Sequence, residues 1–479
     1  MRIDSRLAWL VLTFAPTNAW SAPPVLEAPA SSSEPWALPH IEIPDETPAA
    51  HAAAGPRYDL AALIDLAEQT SPETREAWNE ARADAAAAGV ARSAYLPQLA
   101  IDALGGVQRT PLAAPSNLVP KGYFVSDTRE VIPTITVKWL LFDFGRRDAS
   151  LEHANAMTFV ANVVFTGAHQ KLVYTISQDY YSLGASTGKL LAARKGLETA
   201  QIDNDAVSER RRHGVATSVE QARADRQLAQ ARFATVRAQG AVDLSRATLS
   251  ADIGLSPGTA LEVIGSEDEM LPFPPADTVA QYVDEALSNR PDVIAAKGKI
   301  DAADAATREA NAEFRPTISA MGQTFFNEGQ LRSDSGPWSS VHEPGAAVFL
   351  QFSWNVFDGG ARRSKLAVAN AERDAAVGEY QHTRDIAGRQ VAEAFSALQT
   401  ALASTTAASE VTRTAVIAHD AALAAFRNGL ATFDDLAGEA NALTTAQSDE
   451  EDARASAFTA AAALALATGQ STGKSANSH

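Results

Sequence analysis

The stretch VKWLLFDFG (Val137 to Gly145) has a close counterpart later in the chain, FSWNVFDGG (Phe352 to Gly360). In both strings a Trp is followed by Phe-Asp and then, after one residue, by Gly. The two tryptophans, Trp139 and Trp354, lie 215 positions apart in the chain of 479 residues. Such an unusual string repeated at the same internal spacing indicates an internal duplication.

Other matches support the duplication. RRHGVAT (Arg211 to Thr217) and FRNGLAT (Phe426 to Thr432) are again 215 positions apart. Upstream the offset becomes 219, because Pro97 corresponds to Pro316. The change of four residues falls between Pro97 and Trp139, so we predict a loop of variable length in that interval.

The composition excludes several classes of protein. The chain has 58 acidic and 40 basic residues, which argues against nucleic acid as a partner. It has no Cys, so disulfides, thiolate metal sites, Cys nucleophiles and a lipidated N-terminal Cys are all excluded. The nine His are scattered without ligand spacing, and no catalytic, cofactor or metal site is predicted.

The N-terminus has the features of an exported protein. Two Arg precede an apolar run, and Ala19-Trp20-Ser21 suits cleavage after Ser21, so residues 1–21 are predicted to be a signal peptide. Residues 22–57 form a Pro- and Ala-rich tail. No later stretch has the roughly 18 to 20 apolar residues that a membrane helix requires. An exported chain of this kind would have to cross a membrane with strands.

Four segments alternate between apolar and mixed side chains, which is the pattern of strands with lipid on one face and water on the other. They are LAIDALGGV (from Leu99), ITVKWL (from Ile135), TISAMGQTFF (from Thr317) and AVFLQFSWNV (from Ala347). The connections between the strands of each copy, Arg109 to Val131 and Asn327 to Gly345, contain Pro, Gly and Ser. We predict that both connections are long loops at the outer surface.

Long helices are predicted after the second strand of each copy. No Pro occurs between Pro133 and Pro257 or after Pro344, and Ala, Leu, Gln, Arg and Glu dominate both stretches. A helix from Gly145 to His213 would be about 100 Å long. The WxLFDxG strings therefore lie where a strand ends and a helix begins. Asp would cap the first turn, Gly would allow the change of direction, and Trp would lie at the membrane surface.

These features together resemble the outer-membrane efflux protein family of TolC type, from Tyr58 to Gln470. The resemblance implies a mainly α fold with a membrane β-barrel portion. In this fold a homotrimer forms one twelve-stranded outer-membrane barrel, which a long periplasmic α-helical barrel continues. It predicts a first repeat over 58–256, a linker over 257–276, a second repeat over 277–470 and a tail over 471–479. The strand–helix joints are Pro97, Pro316, Trp139, Asp143, Gly145, Trp354, Asp358 and Gly360.

The resemblance also assigns the ends of the helical hairpins. They would dock a periplasmic adaptor protein through two turns, made of Gly214, Val215, Ala216, Thr217, Gly429, Leu430, Ala431 and Thr432. Acidic residues after these turns would surround the narrow tunnel entrance; the matching positions are Asp434, Asp435, Glu439 and Glu220. The family pattern has an acid where this chain has Gly438. The alternative is that these carboxylates are solvated groups on a helix surface.

The predicted function is that of a channel in the outer membrane of a Gram-negative bacterium, embedded in its lipid. It would receive substrate from an inner-membrane transporter, of ABC or proton-driven type, through the adaptor. The missing lipidated Cys favours type I secretion of proteins or toxins, with small-molecule or multidrug efflux as the alternative. A trimeric coiled-coil adhesin or spacer would not need paired strands, and an enzyme would need a catalytic constellation that the sequence lacks.

Overall fold

The computed structural model describes residues 57–470 except 116, 118, 257–260, 266–268 and 335. The predicted signal peptide, almost all of the N-terminal tail and the tail over 471–479 lie outside the described residues. The described part contains two copies of one series of elements. The boundaries predicted for the repeats and the linker stay predictions.

The first copy contains two short helices, two strands and a helical hairpin, and the second copy has the same order. In the first copy the elements are α1 (Leu60–Thr70), α2 (Pro72–Ser93), β1 (Gln98–Ala113), β2 (Tyr123–Phe142), α3 (Arg146–Arg212) and α4 (Ser218–Ile253). In the second they are α5 (Val279–Asn289), α6 (Pro291–Ala312), β3 (Thr317–Ser333), β4 (Ser339–Ser353), α7 (Ala361–Arg427) and α8 (Phe433–Thr468). The duplication is confirmed.

The helix boundaries follow from local sequence. Pro72 and Pro291 each occupy the first turn of a helix, where the missing amide hydrogen has no intrahelical partner to lose. Helices α3 and α7 each contain 67 residues, which corresponds to about 100 Å. Helices α4 and α8 each contain 36 residues and return along them. The prediction of very long helical hairpins is confirmed. Among the described residues, no helix combines the length and apolar character needed to cross a membrane.

The four strands form one antiparallel sheet in the order β1-β2-β3-β4. Gln98 pairs with Lys138 at the start of β1, and Thr317 pairs with Ser353 at the start of β3. The sheet has two outer strands, β1 and β4, each with one edge that no strand of the described chain covers. Such an edge presents unpaired backbone donors and acceptors to another strand.

The prediction of long loops between the strands was wrong. The strands extend much further, and only residues 114–122 and 334–338 connect them. The prolines that suggested loops lie within strands: Pro111 is in β1 and Pro344 is in β4. Both are outer strands, where a residue without an amide hydrogen is tolerated. The difference between the two connections accounts for the four-residue change in offset.

One face of the sheet is apolar. On β2 the exposed side chains of Val131, Ile135, Val137 and Trp139 alternate with residues such as Thr134 and Thr136. Their partners on β1 include the exposed Ile101, which lies opposite Ile135. Since opposite residues of a ladder share a face, the apolar surface continues across the strands.

The helices pack around three cores of apolar residues. One core lies between the first hairpin and α1, where Leu63, Ile176, Leu249 and Ile253 are fully buried. A second core joins α5 to the second hairpin and contains Ala286, Val391, Leu398 and Ala457. The many Ala in this core allow close approach of the helices. A third core lies at the hairpin ends.

Candidate functional site: the joints and the hairpin tips

The indole of each repeated Trp forms a hydrogen bond with the backbone just before the first strand of its copy. Trp139 Nε1 donates a hydrogen bond of 2.9 Å to the backbone oxygen of Tyr95. Trp354 Nε1 donates one of 3.1 Å to the backbone oxygen of Phe314. Both acceptors precede the Pro that leads into a strand, Pro97 or Pro316. The sequence predicts Trp at a membrane surface. The structure adds that each Trp, at the end of the second strand of its copy, is hydrogen-bonded to the chain that leads from the preceding helix into the first strand.

The Asp of each string caps the helix from outside it. Helix α3 is preceded by Gly145 and helix α7 by Gly360. These glycines have φ angles of 90° and 94°. Asp143 Oδ2 accepts a hydrogen bond of 2.9 Å from the Arg147 amide. The equivalent bond, from Arg362 to Asp358, is 3.1 Å. The N-cap residue is therefore Gly rather than Asp, because the turn requires a left-handed backbone at that position.

An Arg that was not among the predicted joint residues completes each joint. Arg147 Nη1 donates a hydrogen bond of 2.6 Å to the backbone oxygen of Leu140, and its Nε lies 3.2 Å from Asp143. In the second copy Arg362 Nε lies 2.7 Å from Asp358. All four side chains of these two ion pairs are largely buried. The signal was present, since an Asp-x-x-x-Arg spacing recurs in both copies at the 215-residue offset.

The two hairpin turns have the same backbone. Gly214 and Gly429 have φ angles of 75° and 73°, in the left-handed region. In both turns a Cβ added to the Gly would meet no atom within 4 Å. The restriction to Gly therefore comes from backbone angles and not from crowding. Val215 and Leu430, which follow the two Gly, are 63% and 83% exposed. Each turn thus presents one apolar side chain outward.

A capping box starts the helix after each turn. Thr217 Oγ1 accepts a hydrogen bond of 3.1 Å from the Glu220 amide, and Glu220 Oε2 accepts one of 2.6 Å from the Thr217 amide. In the second turn Asp435 Oδ2 accepts one of 2.9 Å from the Thr432 amide. Two orphan amides are satisfied in each turn.

These hydrogen bonds stabilise the charged carboxylates. The backbone amide and the hydroxyl group of Thr217 lower the pKa of Glu220. The hydroxyl group and the amide of Thr432 lower the pKa of Asp435. Both acids stay ionised at neutral pH, and both have a local structural task in addition to any role at the tunnel entrance.

The other two predicted entrance acids differ from each other. Asp434 is exposed and forms an ion pair with Arg223 of the first hairpin. Glu439 is half-buried, and within the described residues it has no ion pair. The structure therefore brings Asp434 and Arg223 together across the two hairpins. Asp435 and Glu220 each bond within their own turn.

Aromatic packing joins the two hairpins at their ends. The third core consists of Val207, Ala224, Phe426, Phe433 and Leu436, all buried. The rings of Phe426 and Phe433 are 6.2 Å apart in an edge-to-face arrangement. The Arg210 guanidinium lies 4.8 Å from the centre of the Phe426 ring. Sequence reasoning missed these residues, although Phe426 and Phe433 flank the second turn in a stretch with few aromatics.

The described residues contain no group of three or more His, Asp or Glu that could hold a metal ion.

Comparison with known proteins identifies the family of the chain. Residues 63–255 and 282–470 match the profile of the family described as outer membrane efflux protein. The protein CyaE of Bordetella pertussis is 28% identical over 388 residues, which cover 80% of this chain and 76% of CyaE. The outer membrane protein OprJ of Pseudomonas aeruginosa is 27% identical over 362 residues, which cover 71% of this chain and 69% of OprJ.

A solved structure shows the same fold. The outer membrane protein VceC from Vibrio cholerae superposes with a TM-score of 0.70 at 21% identity, covering 86% of this chain and 96% of VceC. Proteins of the matched family form trimers, work with periplasmic adaptors and inner-membrane transporters, and are not enzymes. The predicted fold class, export function and location are confirmed, and the adhesin alternative is wrong. The chain belongs to the outer membrane efflux protein family and is an outer-membrane channel with a long periplasmic helical portion.

Proposed function

We propose that three copies of this chain form the outer-membrane conduit of a tripartite export system. The observation that carries the proposal is the four-stranded sheet with open edges on β1 and β4. Four strands cannot close into a barrel, so each open edge requires a strand from another chain. Three copies would supply twelve strands, with the apolar face toward outer-membrane lipid.

The hairpin turns are the proposed docking surface for the periplasmic adaptor. In both copies an apolar side chain, Val215 or Leu430, stands exposed between a left-handed Gly and a capping Thr. The hydrogen bonds of the capping boxes fix the backbone of each turn, so the positions of these two side chains are well defined. An adaptor that covers several such turns would gain apolar burial at each one.

We propose that Asp434, Asp435, Glu439 and Glu220 contribute negative charge at the tunnel entrance. Asp435 and Glu220 are held ionised by their capping hydrogen bonds, which supports a permanent charge at neutral pH. The ion pair with Arg223 offsets part of the charge of Asp434. Repeated three times around an axis, these groups would attract cations.

The proposed substrate class is protein, delivered by an ABC-type transporter of a type I system. The absence of any Cys supports this branch, because the lipid anchor of many efflux-pump members requires one. The second candidate is efflux of small molecules by a proton-driven pump, which the description of the family favours.

Two measurements test the proposal. Native mass spectrometry of the detergent-solubilised protein should give a trimer, and the purified trimer should conduct ions in a planar bilayer. A stable monomer with native strand content would overturn the architecture. Deletion of the gene should then abolish secretion of a protein without changing sensitivity to toxic small molecules. The reverse phenotype would select the second candidate.

A further inference from the structure

A cluster of Arg and Trp lies on the lipid-facing side of the sheet, at the end away from the helices. On β2, Asp127 and Arg129 have the same parity as Val131, Ile135 and Val137, so they share the apolar face. Arg109 and Arg332 are the ladder partners of Asp127 on the two neighbouring strands. They therefore lie on this face as well.

The cluster lies beyond the apolar band. Ten residues separate Arg129 from Trp139, and at the usual rise and tilt of barrel strands this places Arg129 about 25 Å above the Trp139 level. That height corresponds to the apolar band of an outer-membrane barrel. Since the periplasmic helices begin next to Trp139, the cluster is level with the headgroups of the outer leaflet.

The charges of the cluster are unevenly compensated. Asp127 is buried, and its two oxygens face Arg332 at 2.8 Å and Arg109 at 3.7 Å. Arg129 is exposed, and among the described residues it has no carboxylate partner. Two other acids lie near the cluster. Asp334 accepts a hydrogen bond from the Val125 amide. Glu328 lies 3.9 Å from His342.

Two guanidinium groups share one aromatic ring. Arg129 lies 4.4 Å and Arg332 lies 4.8 Å from the centre of the Trp338 ring. Both groups are positively charged, and an anion bound beside them would offset their mutual repulsion. The planar guanidinium also matches the geometry of a phosphate group, which it binds through paired hydrogen bonds.

We propose that Arg129, Arg332 and Trp338 form a binding site for a phosphorylated glycolipid of the outer leaflet. Arg129 supplies the uncommitted donors, Arg332 adds a second charge, and Trp338 holds both guanidinium groups in place. The acyl chains of the lipid would lie along the apolar side chains of β2, below the phosphate.

The test uses the full-length trimer in detergent and measures its affinity for diphosphorylated lipid A by native mass spectrometry. Arg129→Gln should lower the affinity about tenfold, the loss expected for one charge-assisted hydrogen bond. Arg129→Lys should lower it less, because the charge is kept. The matched control is Lys138→Gln, on the opposite face of the same strand, which should bind like the wild type.

Three outcomes would overturn the proposal: equal affinity of the wild type and Arg129→Gln, equal binding of lipid A after its phosphates are removed, or full competition by millimolar inorganic phosphate. The comparison of phosphorylated with dephosphorylated lipid needs only the wild-type protein, so it decides the question even if a variant fails to assemble. Conductance should be unchanged in Arg129→Gln, which separates lipid binding from export.

Discussion

Arg210 of the first hairpin donates a hydrogen bond of 2.7 Å to the backbone oxygen of Phe426 in the second hairpin. Its guanidinium also stacks on the Phe426 ring. Arg210 thus connects the two hairpins directly beside their turns.

Replacing Arg210 should loosen this connection. In Arg210→Ala the loss of the hydrogen bond should weaken the contact by about 1–2 kcal/mol. Single-channel recordings should then show more frequent or longer open states. The matched control is Arg211→Ala, which removes an exposed Arg from the next position and should leave gating unchanged. Identical gating in both variants would mean that Arg210 does not restrain the hairpins.

Replacing Gly429 by Val should damage the turn and spare the barrel. A side chain in the left-handed region costs about 1–2 kcal/mol, and a β-branched one costs more. We expect normal trimers and loss of export. Gly378→Val serves as the control, because Gly378 lies within α7 and a Cβ there meets no atom within 4 Å. Export at the wild-type level in Gly429→Val would argue against docking through this turn.

Neutralising the entrance acids should reduce cation selectivity. Asp434→Asn and Asp435→Asn remove charge, while Asn at 435 can still accept the hydrogen bond from Thr432. In the double variant we expect a lower cation-to-anion permeability ratio and weaker block by divalent cations from the periplasmic side. Asp374→Asn, which neutralises an exposed acid on α7 instead of α8, is the control. If the double variant keeps full selectivity, these carboxylates do not line the lumen.

Asp203 should make the protein less stable as the pH rises. Its side chain is almost fully buried, and within the described residues neither carboxylate oxygen has a hydrogen-bond partner. Burial raises the pKa of Asp203 from 3.8 to about 6, although His419 and Arg427 act in the opposite direction. Between these pH values the folded state holds a proton that the unfolded state has lost, so stability falls as the pH rises through this window.

Asp203→Asn should therefore raise the thermal unfolding temperature above pH 6 and give no advantage below about pH 4. Unfolding followed from pH 4 to pH 8 tests this expectation. Asp205→Asn is the control, because Asp205 is exposed on the same helix. A constant difference between Asp203→Asn and the wild type over this range would exclude the titration.

The buried ion pair of the first joint should matter more than an exposed one. Arg147→Met leaves Asp143 buried without its partner, which typically costs about 3–5 kcal/mol. Lys297→Met breaks the exposed pair with Asp301 and should cost less than about 1 kcal/mol. Thermal unfolding in detergent compares the two. Equal losses would show that Asp143 is solvated in the assembled protein.

Sequence patterns predicted the elements better than the contacts between them. The left-handed Gly214 and Gly429 were predictable because a tight turn between helices needs a permissive backbone. The hydrogen-bond acceptors of Trp139 and Trp354 were not predictable, because they are distant in sequence. Tyr95 precedes Trp139 by 44 residues, and Phe314 precedes Trp354 by 40 residues.

The strand lengths were predicted incorrectly for a different reason. Pro111 and Pro344 were predicted to be loop residues, but pairing with neighbouring strands extends the sheet through both. Tertiary pairing overrides local propensity in such segments. Likewise, the ion pair of Asp434 could not be predicted from its local sequence, because its partner Arg223 lies in the other hairpin.

The unequal strand connections have a consequence for the outer mouth of the channel. The connection over 114–122 is longer than the one over 334–338, although the two copies are otherwise closely matched. Around a trimer, long and short connections would alternate. The helical portion, in which the two copies match, would then approach six-fold symmetry. The outer end of the barrel, in which the connections differ, would have only three-fold symmetry. A phage fibre or an antibody arriving from outside would first meet the residues of the longer connection, the part of the duplicated chain in which the two copies differ in length.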